Sequence, residues 1–310
     1  MALSIQAFNQ VGIMFLIILT GIFCKKKNII NEEANRKLSD FILLIVNPLL
    51  IVNAYQRDFD MKHLTGLAIS IGLAIITHIV FIVIATLSIR SASGKKENKE
   101  VAIERFSCIY SNCGFMGIPL VNGLFGMEGV FYLTAYMTVF NIFIWTEGVY
   151  LMVGRMNRKM LVKTLSAPAI IATAVGFLCF LFQIRLEGIF KEALTYIASM
   201  NTPLAMIVAG GVIAGINWKE MLLRKRHYLV SSVKLLLVPM LLLFLYSALP
   251  IDRTILGTTI IAAACPSAVT GTLFAIRYQK NAGYASEIFA ITTLLSAITI
   301  PFIMFLYQLI

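Results

Sequence analysis

Apolar runs close to the length of a bilayer crossing recur along this chain from one end to the other. A helix needs about 20 apolar residues to cross a bilayer core, and in lipid only helices and closed barrels satisfy every backbone polar group. Ten such runs can be placed, at 6–24, 36–56, 64–89, 101–125, 127–152, 167–184, 192–214, 229–249, 254–276 and 285–309. Soluble domains are about 25% charged; this chain of 310 residues is 13% charged and 59% hydrophobic. The expectation is an all-α, multi-pass membrane protein with nothing left over for a soluble domain.

The net charge of +11 would suggest nucleic acid in a soluble protein. Here its distribution argues otherwise. Twenty of the 26 Lys and Arg residues fall in the first, third, fifth, seventh and ninth linkers, as in Lys25-Lys26-Lys27 and Arg155 to Lys163. Arg57, Lys62, Arg185, Lys191 and Arg253 are the five on the other side, and Lys234 sits just inside the eighth span. Cytoplasmic loops carry such an excess, so both termini are expected outside a cell (cytoplasmic) membrane, and no nucleic acid partner is expected. Residues 1–8 lack Lys and Arg, and no small-residue cleavage site precedes Lys25; the start reads as a first span, not a removable leader. Five scattered cysteines show neither metal-ligand spacing nor a disulfide framework. No metal or cofactor is expected.

One stretch does not suit a lipid-facing helix. Ser111 to Pro119 reads SNCGFMGIP, placing Asn112, Cys113, Gly114, Gly117 and Pro119 near the middle of the fourth span. Proline removes a donor and clashes with the carbonyl four residues back, and backbone freed at that depth needs protein or a water-filled cavity to satisfy it. The ninth span carries ACPSAVTGT, with Pro266, Ser267, Thr270 and Gly271. The second span carries Asn47-Pro48 and the seventh Asn201-Thr202-Pro203. The second half therefore reads as a loose copy of the first, and five spans per half force the copy to be inverted. The expected architecture is ten transmembrane helices as two inverted five-helix repeats, 1–152 and 167–310, joined by a cytoplasmic linker at 153–166. Helices 4 and 9 would be broken, their half-helix N-termini meeting near the midplane and attracting an anion.

Single polar residues have more than one reading. Asn47 or Asn53 lines a cavity, or the Pro48 kink serves packing alone. His78 is a hydrogen-bonded packing histidine or a proton carrier. Glu147, with Asn141 in the same span, is a coupling carboxylate or one half of a structural ion pair, because an intramembrane acid must be paired, protonated or hydrated. Lys234 is expected to snorkel to the interface, and Glu287 to be solvated at the membrane surface. Gly210, Gly211, Ala214 and Gly215 suit close helix packing.

Together, NPLLIV in the second span, SNCGFMGIPL in the fourth, ACPSAVTG in the ninth and YASEIFAITTLLSAITIPF through the tenth resemble the auxin efflux carrier family over essentially the whole chain. The resemblance implies a bile acid sodium symporter-like fold, with a scaffold of spans 1, 2, 6 and 7 and a mobile unit of spans 3–5 and 8–10 moving as an elevator. It implies that Asn112 contacts a substrate carboxylate. The short mid-chain linker resembles bacterial members, associated with malate, malonate and similar carboxylates, and the family makes a homodimer possible. The ninth span lacks the acidic residue that serves sodium in the bile acid relatives.

The expected function is a secondary transporter of a small organic anion, with Asn112, Cys113, Gly114, Pro119, Pro266, Ser267, Thr270 and Asn47 at the substrate and Glu147, Asn141 and His78 as coupling candidates. A cation- or proton-coupled exchanger and a non-transporting receptor on the same fold are the alternatives. His63, His78 and His227 stand apart, and no HExxH or GxSxG motif occurs, so no catalytic residue is expected.

Overall fold

The structure, a computed structural model, describes residues 2–90, 99–154 and 167–310. Most of the polar linker after the third predicted span, and nearly all of the 153–166 linker, lie outside the described residues. The described chain is helical: α1 (Ala2–Lys26), α2 (Glu32–Ala54), α3 (Met61–Ser88), α4 (Lys99–Ile109), α5 (Cys113–Val153), α6 (Pro168–Leu181), α7 (Gly188–Ala214), α8 (Trp218–Leu223), α9 (Lys225–Ser247), α10 (Arg253–Ala264), α11 (Thr270–Arg277) and α12 (Ala282–Leu309). Seven of these, α1, α2, α3, α5, α7, α9 and α12, are long and apolar enough to cross a membrane, while α6 and α10 are apolar but shorter. Among the described residues there is no strand.

Local chemistry explains the helix ends. Asn31 caps α2, its side chain accepting from the Ala34 amide at 2.8 Å with Glu32 and Glu33 in the first turn. Asp60, Asp252 and Asn281 cap α3, α10 and α12 in the same way. α5 is 41 residues long, enough for two crossings. It is two helices joined at Gly126, whose φ of 63° lies where a side chain is rarely tolerated.

Four helices contain a wide, π-helical turn: Ile42–Val46, Cys113–Gly117, Ile144–Gly148 and Val233–Leu237. Three of them run directly into Pro48, Pro119 and Pro239. Proline cannot complete the regular ladder, and the wide turn absorbs the misfit. Such turns favour functional sites. These four carry or abut Asn47, Cys113, Glu147 and Lys234.

Glycines allow α1 and α7 to touch backbone to backbone. A Cβ on Gly210 would stand 2.2 Å from the Ile18 carbonyl oxygen, and one on Gly21 would stand 2.3 Å from that of Ile207. The small-residue series of the seventh span thus has the packing role its composition suggests.

Two charged residues differ from the expectation. Lys234 does not reach the interface; it is fully buried. Glu287 is not solvated but 7% exposed, with Arg224 Nε at 3.3 Å and His227 Nε2 at 3.5 Å. Beside it, fully buried Glu104 takes a bidentate pair from Arg226, one arm of which (Nε to Oε1) is 2.6 Å, and a hydrogen bond from the Tyr284 hydroxyl, also 2.6 Å. This network ties α4, α9 and α12 together on the side that carries most of the basic residues. Glu104→Gln keeps the shape but removes the charge from a charge-assisted, bidentate contact. Because Arg226 stays about one-third exposed, screening limits the cost, and a loss of about 1–3 kcal/mol is expected. It should appear as a lower melting temperature in detergent with ligand affinity unchanged.

Candidate functional site

The helical path stops after Ile109 and resumes at Cys113, and it stops again after Ala264 and resumes at Thr270. These two interruptions pass each other antiparallel, with Ser111 opposite Ser267. The Asn112 amide donates to the Pro266 carbonyl at 2.7 Å, and the Ala268 amide to the Tyr110 carbonyl at 2.9 Å. Ser267 Oγ donates to the Ser107 carbonyl (2.8 Å), Ser267 N to Thr292 Oγ1 (3.2 Å), and Ser111 Oγ to the Ala263 carbonyl (3.3 Å). Backbone that leaves a helix in a buried setting must find such partners. The interruption falls at Tyr110–Asn112, ahead of Pro119, because the wide Cys113–Gly117 turn lets helix restart before the proline.

A cavity of about 220 Å³ lies against this crossing. Apolar side chains, among them Phe140, Trp145 and Phe274, form most of its wall, and the polar groups are few: Asn47, Ser111, Asn112, Asn141 and Thr270. Two of these have buried atoms without a hydrogen-bond partner among the described residues, Asn112 Nδ2 and Thr270 Oγ1. Asn112 is 4% exposed. A buried unsatisfied donor costs about 1–3 kcal/mol, so both groups need a partner that the cavity can admit. The restart of α5 adds first-turn amides, which have no carbonyl four residues back to bond. An apolar pocket with a few convergent polar groups suits a small ligand with one polar end.

The sequence candidates divide into three groups. Asn47, Asn112, Cys113, Gly114, Asn141 and Thr270 line the cavity. Pro266 and Ser267 hold the crossing from behind, and Pro119 lies in α5, its carbonyl accepting from Gln10 Nε2 at 3.2 Å. Glu147 and His78 are not on the wall. The Tyr110 hydroxyl reaches Glu147 Oε2 at 2.5 Å, so a residue of the first interruption holds that carboxylate. His78 Nδ1 donates to the Ala74 carbonyl at 2.7 Å and the ring stacks on Phe143, which is the packing arrangement.

Asn47 has a partner that the sequence parallel only hinted at. Asn201 Nδ2 donates to Asn47 Oδ1, so the Asn-Pro motifs of the two halves touch directly. Sequence reasoning missed Lys234, whose Nζ donates to Ser111 Oγ at 2.5 Å. It placed Ser111 at the start of the interrupted stretch without giving it a role, and it missed the aromatic wall.

The sequence profile of the membrane transport protein family matches the chain over residues 6–158 and again over 152–304. An uncharacterized transporter of Methanothermobacter thermautotrophicus is 24% identical over 298 residues, covering 93% of this chain and 94% of that protein. The matched segments take in both interruptions and nearly every helix described above, and the chain belongs to the auxin efflux carrier family of membrane transport proteins.

Proposed function

We propose that this transporter carries a small organic anion, a carboxylate of the malate or malonate type, by elevator-type alternating access in the cell membrane. Its ten spans are two inverted five-helix repeats. α4 with the first part of α5, and α10 with α11, form the two broken helices. Two family matches of equal length, one per half, and the direct Asn47–Asn201 contact support the repeat. With the basic linkers inside, both termini lie outside. The cavity reaches Pro168 and Ala169 at the start of α6, next to the basic mid-chain linker, so its mouth lies on the cytoplasmic side. α1, α2, α6 and α7 act as scaffold, and the remaining spans move with the substrate.

The observation that carries the reading is the unpartnered Asn112 side-chain Nδ2 in an apolar cavity at the crossing. A carboxylate offers it an acceptor and also suits the first-turn amides of α5. The Thr270 hydroxyl can donate to the same group. Proteoliposome flux with a panel of mono- and dicarboxylates tests this: saturable uptake of at least one carboxylate is expected, with other carboxylates competing. If sodium or protons competed and carboxylates did not, the cation-exchange alternative centred on Glu147 would replace it.

A further inference from the structure

Lys234 is the one fully buried lysine among the described residues, and it lies directly behind the crossing. Its Nζ donates to Ser111 Oγ at 2.5 Å and to the Ala263 carbonyl at 3.4 Å, and stands 4.0 Å from the centroid of the Phe81 ring. An ammonium has three donors and no acceptor. Three of the groups around it, two oxygens and the negative face of an aromatic ring, can take those three donors. The Ser111 hydroxyl spends its own proton on Ala263, which leaves its oxygen free to accept. No carboxylate lies within ion-pair distance of it among the described residues; each ion pair they form involves other cations.

We infer that Lys234 is a built-in cation that sets the charge preference of the cavity, acting through Ser111 as a positioning residue and not by touching the ligand. Ser111 both accepts from Lys234 and lines the cavity next to Asn112. A positive charge with no anionic partner in a low-dielectric interior raises the affinity of any anion that enters the adjoining space. Side chains on the wall itself supply only neutral donors, so beyond the partial charge of the α5 first-turn amides a full positive charge has to come from the layer behind. Because the cation is covalently tethered, anion binding needs no co-bound sodium. This inference rests on the carboxylate reading above and deepens it.

The test compares malonate with its uncharged diamide, malonamide, by calorimetry on purified protein. The wild type should prefer malonate by about tenfold or more, and Lys234→Met should bring the two ligands to within about threefold of each other. A purely structural role would lower both affinities together and leave their ratio alone. If the wild type shows the preference and a folded Lys234→Met protein keeps it, the inference is overturned while the carboxylate reading stands. If the wild type binds no carboxylate, the reading itself falls and the inference with it. Should Lys234→Met fail to give monodisperse protein, Lys234→Gln, which retains a donor for Ser111, makes the same comparison. The wild type alone supplies a further check. Exchanging sodium for choline at constant chloride should leave malonate affinity unchanged, and a loss of about tenfold or more would show that the compensating cation comes from solution.

Discussion

Asn112→Ala is expected to reduce carboxylate binding by about 10- to 100-fold, and transport to background, while leaving the protein inserted and slightly more stable. The two signs come from one fact. Without ligand, Asn112 Nδ2 is buried with no partner, and removing such a group relieves a desolvation cost of about 1–3 kcal/mol. With ligand bound, the same amide makes a hydrogen bond to a charged acceptor, worth about 1.5–3 kcal/mol, which alanine forfeits. The backbone role of the residue survives, because the Asn112 amide, not its side chain, bonds Pro266. Thermal unfolding in detergent and flux from proteoliposomes read the two halves separately. Unchanged flux would remove Asn112 from the site; a lower melting temperature would mean that its side chain serves the crossing. Stability traded for function in this way is what a preorganised binding group shows.

How far the sequence could be read depends on whether the determining contact is local. The spans placed at 101–125 and 127–152 leave the divide at residue 126, where the structure has the positive-φ Gly126. Both interruptions fall in or beside the Gly/Pro clusters: the second lies within ACPSAVTGT, while the first stands several residues ahead of Pro119 because helix restarts in the wide turn at Cys113–Gly117. Lys234 was misread for a measurable reason. A span starting at residue 229 puts it about 8 Å into the helix, but α9 starts at Lys225, which puts it about 14 Å in at 1.5 Å per residue. The extra turn carries Arg226, which is paired with Glu104, a residue 122 positions away. Glu287 was misjudged likewise: its partners Arg224 and His227 come from a different element. Pairings between distant charged residues leave no periodic mark in one sequence. The hydrogen bond of His78 and the close approach at Gly210 involve only neighbours on the same or an adjoining helix.

A second large effect separates two glycine-to-alanine changes that look alike in sequence. Gly210→Ala puts a methyl group 2.2 Å from the Ile18 carbonyl oxygen and 2.8 Å from the Ile22 amide nitrogen. Both neighbours are backbone, so no rotamer can give way, and α1 and α7 must separate. Overpacking a close interface costs about 1–3 kcal/mol, and with backbone on both sides the upper figure is expected, lowering the melting temperature by about 5–10 °C. Gly72→Ala in α3 meets nothing within 4 Å and removes a poor helix former, so its melting temperature should be equal or higher. Gly21 lies against Gly210, its Cα 2.9 Å from the added methyl, so once Gly210→Ala has parted the helices, Gly21→Ala should cost less in the double variant than alone. Full additivity of the two would mean that the helices deform independently at each glycine instead of moving apart as bodies. Since α1 and α7 both belong to the proposed scaffold, flux per folded molecule should survive Gly210→Ala better than total folded protein does. A loss of flux without a loss of stability would place the α1–α7 contact in the moving unit and undo the proposed division of the chain.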